Sequence, residues 1–200
     1  MPTRTFFCLP EEKRQRLMDA AVEEFTRACY DKASINKIIH QAGIPRGSFY
    51  QYFEDKEDLF HYILEQIEAY VFHIFVNRLN QTKGDLFAAI PGLYQDMLRI
   101  VDQPDSKLGY FIEILRINPE LSLHNFLKNI LSENFESNLK QIDLRQFRDQ
   151  SSTFVQDVLL LMSPLIMHAC YLTIVEPERK DDHRQSLMAQ LEILKYGCLT

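Results

Sequence analysis

Glycine is scarce in this sequence, which has six glycines in 200 residues. No glycine-rich loop of the kind that cradles a phosphate is present, so the common nucleotide-binding motifs are excluded. Few glycines combined with long apolar stretches of helical period predict an all-α fold. With 46% hydrophobic residues, the chain is long enough to bury a substantial core in one or two domains.

Cysteine is also sparse, and its positions are scattered. Cys8, Cys29, Cys170 and Cys198 form no C-x-x-C pair, and no histidines stand at zinc-binding spacing. Met1–Leu9 lacks the apolar stretch of a signal peptide. We therefore expect a cytoplasmic protein with reduced thiols and with neither a metal nor a cofactor. A redox role for the two cysteines near the termini stays open.

The sequence contains no recognisable catalytic constellation. An enzyme would need paired carboxylates, a nucleophile beside a base, or a metal cluster at a known spacing. The six histidines include neither H-x-x-x-H nor H-E-x-x-H. They are His40, His61, His73, His124, His168 and His183. The sequence therefore predicts a protein that is not an enzyme.

Positive charge is in short supply overall, since the chain has a net charge of −6 at pH 7. The deficit is uneven, because residues 1–56 carry a net charge of +1 and residues 57–200 carry −7. The N-terminal part keeps local basic groups such as Arg4, Arg46 and Lys56. Binding to phosphates depends on the local charge footprint and not on the total charge. A nucleic-acid-binding N-terminal part is therefore compatible with this acidic chain.

One long stretch has no charged residue. Val158–Val175 contains eighteen residues without Asp, Glu, Lys or Arg, which is near the length of a membrane-spanning helix. It nevertheless includes Ser163, Pro164 and His168, and it lacks positive flanking charge on its N-terminal side. A helix buried on two faces of a soluble bundle has the same composition. The sequence therefore favours a soluble protein.

Helical periodicity and the positions of Gly and Pro divide the chain into segments. The predicted helices are Pro10–Ala28, two helices within residues 34–52, Asp55–Leu79, Leu86–Val101, a short one between Pro104 and Pro119, Leu121–Leu144, Val158–Val175 and Leu187–Cys198. Asp55 is expected to cap the helix that joins the N-terminal part to the rest of the chain.

The most informative pattern lies in residues 34–56. Ser34 is a suitable N-cap for a short helix, and the apolar residues of Ile35–Ala42 fall on one face of that helix. Gly43 supplies the left-handed backbone that a sharp exit requires, and Pro45 pre-sets the first turn of a second helix. Two short helices joined in this way form a helix-turn-helix, whose second helix can enter the major groove of DNA.

This pattern resembles the signature of the TetR family of bacterial transcriptional regulators. The resemblance rests on Phe25, on Ser34–Gly43, on the run Gly47–Phe53 and on Lys56–Leu59, and it extends over Leu17–Phe60. The remaining three quarters of the chain agree with the family in length and helical character only.

Two positions depart from the family pattern. Cys29 stands where the family usually has a glycine that closes the first helix, so this helix end must be closed in another way. Pro45 replaces the more usual Ser or Thr before the second helix, so this position offers no hydroxyl to the DNA backbone.

The resemblance assigns DNA contacts to eight residues. Those at the front of the second helix, here called the recognition helix, meet base edges, and they are Arg46, Gly47, Ser48 and Gln51. Those assigned to phosphates are Tyr50, Tyr52, Lys56 and, at a helix N-terminus, Ser34. Arginine can pair with guanine and glutamine with adenine, while a glycine allows close approach. The alternative is that the two tyrosines are core aromatics and that the arginine is a solvated charge; Phe49 and Phe53 are assigned to the core.

The resemblance also implies an architecture and a function. Residues 1–54 would form a three-helix DNA-binding domain, and residues 55–200 would form a helical domain for ligand binding and dimerisation. A homodimer would bind a palindromic operator in double-stranded DNA, acting as a repressor that a small apolar or amphipathic molecule releases. The acidic C-terminal part slightly favours a cationic molecule. The alternative is a helical adaptor or sensor that acts through protein partners without specific DNA binding.

Residues for the ligand and for the dimer are proposed on composition. Candidate ligand-binding residues are Phe72, Phe75, Tyr94, Met97, Phe111, Phe126, Met162 and His168. The alternative is that most of them are plain core, and His168 in particular is expected to be a hydrogen-bonded core histidine. The dimer is assigned to Val158–Val175 and Leu187–Cys198, with Leu191 and Leu194 as exposed apolar positions of the last helix.

Overall fold

The computed structural model describes residues 1–103, 106–118 and 140–199. All regular elements of these residues are helices, which confirms the predicted all-α fold. The α-helices are α1 (Arg4–Phe7), α2 (Glu11–Arg27), α3 (Ile35–Ala42), α4 (Arg46–Tyr52), α5 (Lys56–Gln81), α6 (Leu86–Val101), α7 (Lys107–Ile117), α8 (Ser152–Val175) and α9 (Lys180–Cys198). Short 3-10 turns occur at Tyr30–Lys32, Leu144–Gln146 and Pro177–Arg179.

The chain divides into two compact units. The N-terminal unit comprises Met1–Glu68 and Lys107–Glu120, and the C-terminal unit comprises Ala69–Ser106 and Leu121–Thr200. The division falls inside α5, so one continuous helix contributes to both units. The structure groups α7 with the N-terminal unit, and the functional boundary after residue 54 stays a prediction.

In the N-terminal unit, α2 packs against α3 and α7. Leu17, Ala21 and Phe25 lie four residues apart on α2 and are fully buried, because this spacing keeps them on one face of the helix. Phe49 and Phe53 are also fully buried, which confirms their assignment to the core. A single apolar core thus fixes the helices that surround the predicted helix-turn-helix.

In the C-terminal unit, α8 packs against both α6 and α9. Polar contacts add to the apolar packing of this unit. The Tyr94 hydroxyl is 2.6 Å from the buried Thr173 hydroxyl. Arg78 of α5 forms a bidentate ion pair with Asp96 of α6, in which one N···O distance is 2.5 Å. The Arg78 guanidinium lowers the pKa of Asp96. The end of α5 is therefore tied to α6 by charge-assisted hydrogen bonds.

Several predicted boundaries need correction. The short helix α1 was not predicted, α8 begins six residues before Val158, and α9 begins at Lys180 and not at Leu187. The predicted helix Leu121–Leu144 lies mostly outside the described residues. The predicted cap of α5 is confirmed, since the Asp58 N–H donates to the Asp55 carboxylate at 2.8 Å.

The uncharged stretch lies in α8, which is long and apolar enough to cross a membrane by length and composition alone. In the structure, 44% of its most apolar part is buried, and a single helix of this kind is weak evidence for a membrane span. The four cysteines are unpaired. Burial raises the pKa of Cys170 to about 12, so this thiol stays protonated and unreactive at neutral pH.

Candidate nucleic-acid interface and apolar cavity

The turn between α3 and α4 is built as the sequence predicts. Gly43 has φ of +67°, and the Ile44 N–H donates to the Ile39 carbonyl at 3.0 Å while the Gly43 N–H donates to the His40 carbonyl at 3.2 Å. These two bonds form a Schellman motif, which ends α3 and pairs the carbonyls of Ile39 and His40. The chain then runs extended into Pro45 and begins α4 at once.

Helix α4 has one buried face and one exposed face. Five of the residues assigned to DNA lie on the outer side, with Ser48 half-buried and Tyr50 47% exposed. They are Arg46, Gly47, Ser48, Tyr50 and Gln51. Tyr52 instead lies on the buried side and is 8% exposed. Its position is that of a core aromatic, which was the alternative to a phosphate contact. The Arg46 guanidinium donates to the Asn36 side-chain oxygen at 3.0 Å.

Gly47 does not pack against any other part of the chain that the structure describes. A Cβ atom added at this residue would meet nothing within 4 Å. Alanine is more favourable than glycine in a helix by up to about 1 kcal/mol. Folding alone would therefore favour alanine at this position. A glycine here is consistent with the close approach of an external partner.

Ser34 occupies the N-cap position of α3, but its hydroxyl makes no capping bond, so the expected side-chain cap is wrong. The Ser34 N–H donates instead to the carboxylate of the buried Glu24 on α2, at 2.9 Å. Lys37 lies 3.5 Å from the same carboxylate. Glu24 was missed in the sequence, although its place on the apolar face of α2 was a signal that a buried partner would be needed.

Lys56 is engaged by the protein itself. Its ammonium group donates to three backbone carbonyls around the 3-10 turn, those of Tyr30, Ala33 and Asp31, at 2.6, 3.2 and 3.3 Å. It also lies 4.5 Å from the centre of the Tyr30 ring. Lys56 therefore holds this turn in place, a role that the phosphate assignment did not foresee.

The same turn shows how the first long helix is closed without the usual glycine. Ala28 and Cys29 leave α2 in extended conformation, and the turn Tyr30–Lys32 follows directly. Asn118, at the end of α7, accepts the Tyr30 N–H at 2.6 Å. Its amide donates to the Ile114 carbonyl at 2.7 Å, so this fully buried side chain is satisfied in both directions. Lys56 and Asn118 thus hold in place the chain that leaves α2 where the family usually has a glycine.

An apolar cavity of about 60 Å³ lies within the C-terminal unit. Its walls come from α5, α6 and α8, and the lining residues are Val71, Phe72, Phe75, Ile90, Leu93, Met97, Leu159, Met162, Ser163, Ile166 and Met167. The hydroxyl of Ser163 is the polar side-chain group of this lining, and it donates to the Leu159 carbonyl at 2.6 Å. The described lining contains no ionisable side chain.

The structure brings together half of the proposed ligand-binding residues. Phe72, Phe75, Met97 and Met162 line the cavity. Of the other four, Tyr94 is buried with its hydroxyl bonded to Thr173, and Phe111 belongs to the N-terminal unit. Phe126 lies outside the described residues. His168 is exposed, so its expected place as a buried core histidine is wrong.

Comparison with known proteins places these features in a family context. Residues 17–63 match the family described as bacterial regulatory proteins, tetR family. The uncharacterized HTH-type transcriptional regulator YdgC of Bacillus subtilis is 27% identical over 137 residues, which cover 63% of this chain and 65% of that protein. An HTH-type transcriptional regulator of Staphylococcus aureus is 32% identical over 75 residues, 38% of each chain. The chain thus spans less than two thirds of the length of these relatives.

Solved structures share the fold. A tetR-family regulator from Streptomyces coelicolor has a TM-score of 0.62 at 22% identity, over 93% of this chain and 81% of that chain. SmeT, the repressor of a multidrug efflux pump of Stenotrophomonas maltophilia, has a TM-score of 0.62 at 18% identity, over 95% and 93% of the two chains. The matched family and the curated relatives are transcriptional regulators, which confirms the prediction that the chain is not an enzyme.

Replacing Gly47 by alanine tests whether α4 approaches DNA closely. Gly47→Ala should leave the fold intact and raise the free energy of unfolding by up to about 1 kcal/mol, because helix propensity improves and the methyl group meets no neighbour. The same methyl group should weaken binding to duplex DNA by about tenfold, ~1.4 kcal/mol. Urea denaturation and fluorescence anisotropy measure the two effects. Unchanged DNA affinity would show that α4 does not approach a groove through this residue.

Proposed function

We propose that this chain, whose residues 17–63 match the family described as bacterial regulatory proteins, tetR family, is a ligand-responsive transcriptional repressor. A homodimer binds a palindromic operator, and a small apolar molecule in the C-terminal unit releases it. The observation that carries the proposal is α4 itself, a helix whose inner face is core and whose outer face offers polar side chains behind a Schellman turn. The protein acts in the cytoplasm.

Base recognition is assigned to the outer face of α4. Arg46 and Gln51 are its long polar side chains, and both are exposed. Asn36 on α3 holds the Arg46 guanidinium at 3.0 Å, so this side chain is partly ordered before DNA binds, which lowers the entropy lost on binding. Tyr50 and the N-terminus of α3 at Ser34 are available for phosphates. Lys56 contributes mainly by holding the turn at Tyr30.

Arg46→Ala is the direct test of base recognition. The full-length protein is first used to select duplexes from a pool of random sequence. Affinity for the selected duplex should then fall by ~1–3 kcal/mol in Arg46→Ala, with preference lost at one position in each half-site, because arginine makes its bidentate contact to one base. Fluorescence anisotropy at fixed salt concentration measures both.

Arg116→Ala is the matched control for charge. Arg116 is exposed on α7 in the same unit and pairs with Glu113 of its own helix at 2.8 Å. Its loss should reduce affinity little and leave sequence preference unchanged. If the selection recovers no preferred sequence at all, or if the two variants behave alike, specific DNA recognition by α4 is wrong. The adaptor without specific DNA binding would then be favoured.

We assign the dimer interface to rows of exposed, mainly apolar residues on α8 and α9, here called stripes. On α9, Ala189, Ile193 and Tyr196 follow helical spacing and are exposed, Ile193 by 72% and Tyr196 by 86%. On α8, Leu161, His168 and Val175 recur every seven residues and are exposed. Such apolar stripes on a small soluble chain are typical of an interface.

The predicted exposure of Leu191 is wrong. Leu191 is 5% exposed, so it belongs to the core of the C-terminal unit and is unsuitable as a test of the dimer. Leu194 is half-buried. The exposed positions lie on the neighbouring stripe of α9, because successive residues of a helix point in directions about 100° apart.

Ile193→Glu should therefore give a folded monomer. The charge would be buried in the interface without a partner, which is costly, while the free chain tolerates it at an exposed position. Gln190→Glu, also exposed on α9, adds the same charge beside the stripe and should remain a dimer. Sedimentation velocity at micromolar concentration distinguishes the two. A wild-type protein that sediments as one chain would contradict the dimer.

The cavity indicates the class of ligand. Because the described part of its lining has no acidic side chain, the charge of the C-terminal part gives no reason to prefer a cation, and we expect an uncharged apolar molecule. About 60 Å³ holds only a few carbon atoms, and an apolar cavity of about 150 Å³ is needed for benzene. The ligand must therefore widen the cavity, which the three methionines of the lining permit. The same fold in SmeT has been solved as a complex with triclosan.

Coupling to DNA is assigned to α5. Val71, Phe72 and Phe75 of this helix line the cavity, and Lys56 at its other end holds the turn at Tyr30. A ligand that displaces the cavity wall would move the helix whose first turn supports the N-terminal unit. By reciprocity, a ligand that weakens DNA binding must bind the DNA-bound protein less tightly.

Leu93→Phe should block the ligand. Octylphenol, which is neutral, should raise the melting temperature of the wild type more than octyltrimethylammonium, because the lining offers no counter-charge. Leu93→Phe places extra volume in the cavity wall and should abolish that rise. Leu98→Phe makes the same change on α6 at a buried residue outside the lining. This variant should still show the rise in melting temperature with octylphenol. Equal responses of the two variants would place the ligand elsewhere.

A further inference from the structure

The N-terminal segment Pro2–Phe7, which includes α1, packs against the recognition helix. The Phe6 side chain is fully buried. Its ring lies 4.9 Å from that of Phe53, 5.4 Å from that of Tyr62 and 6.4 Å from that of Tyr52, measured between centroids. Phe6 therefore belongs to the aromatic cluster against which the end of α4 packs.

Thr3 makes two hydrogen bonds to the last turn of the same helix. Its N–H donates to the Tyr52 carbonyl at 2.9 Å, and its hydroxyl donates to the Gln51 carbonyl at 2.5 Å. The last carbonyls of any α-helix lack partners within the helix. Thr3 thus acts as a C-terminal cap that comes from a distant part of the chain.

Helix α4 has particular need of such support. It has seven residues, and a helix of this length is unstable by itself in water. Its front is fixed by the Schellman turn and by Pro45, whereas its end, which carries Gln51, is followed by Phe53 in extended conformation. Support from outside the helix therefore decides how well the end of α4 is ordered.

We propose that Pro2–Phe7 is a positioning element of the DNA reader, in which the Thr3 hydroxyl holds the last turn of α4 and thereby orients Gln51 toward the bases. The proposal rests on the proposed function of α4. Thr3 acts through the helix and makes no contact with DNA. An ordered last turn reduces the entropy that base recognition would otherwise cost, so specific binding depends on this segment more than non-specific binding does.

Three single variants of the full chain isolate the hydroxyl. Thr3→Val keeps the shape and the backbone hydrogen bond but removes the side-chain donor, and Thr3→Ser restores that donor. Thr5→Val makes the same exchange at an exposed threonine two residues along α1, whose hydroxyl makes no bond in the described structure. A purely structural role of the Thr3 hydroxyl would lower stability in Thr3→Val and weaken specific and non-specific binding to the same extent.

Two measurements are made on each variant. Hydrogen exchange without DNA should show the amides of Gln51–Phe53 exchanging about fivefold faster in Thr3→Val, the effect of losing one hydrogen bond. Affinity for the selected duplex should fall by about the same factor, while affinity for a duplex of random sequence should change less than about twofold. Thr3→Ser and Thr5→Val should match the wild type in both.

The outcomes separate this proposal from the one on which it rests. If Thr3→Val matches Thr5→Val in exchange and in specific affinity, the positioning role is overturned even though DNA binding stands. If exchange increases but both affinities fall equally, Thr3 stabilises the domain without orienting Gln51, and the proposal is again overturned. If the wild type selects no duplex, the proposed function fails, and the role in DNA reading fails with it whatever the exchange data show.

Discussion

The N-terminal unit depends on burying one face of a helix that is too short to be stable alone. Phe49 on α4 and Phe53 just after it are completely removed from solvent, and each such burial is worth about 1.5–3 kcal/mol. That anchoring leaves Arg46 and Gln51 exposed on the opposite face, outside the core. A side chain that the core does not need can be used for recognition.

Polar side chains from distant segments then complete what the apolar core begins. Glu24, Lys56 and Asn118 each bond to backbone groups of the stretch from Tyr30 to Ser34, where the chain passes from α2 to α3. A short irregular connection would otherwise leave buried N–H and C=O groups unpaired, at a cost of about 1–3 kcal/mol each. The orientation of the helix-turn-helix is therefore set by α2, α5 and α7 together.

The C-terminal unit differs in combining an ion pair between two helices with an apolar cavity. Arg78 and Asp96 fasten α5 to α6 near one end of the packed helices, while the cavity lies between α5, α6 and α8 and is lined almost wholly by apolar side chains. A lining without fixed charges imposes little selectivity by electrostatics, so shape and flexibility must decide which molecules bind. The methionines of the wall make that shape adjustable.

The sequence by itself determined the helical class, the Gly43 turn and the exposed face of α4, because these follow from local periodicity and backbone preference. Tertiary structure alone decided the roles of Lys56, Tyr52 and Thr3, since each depends on a partner at least twenty residues away or on which face is buried. Local pattern also could not separate Leu191 from Ile193: both are apolar residues of α9, and only packing against its neighbours shows which one is buried. The exposure of His168 could not be predicted for the same reason. In a helix without charged residues, the sequence does not indicate which face is exposed to solvent.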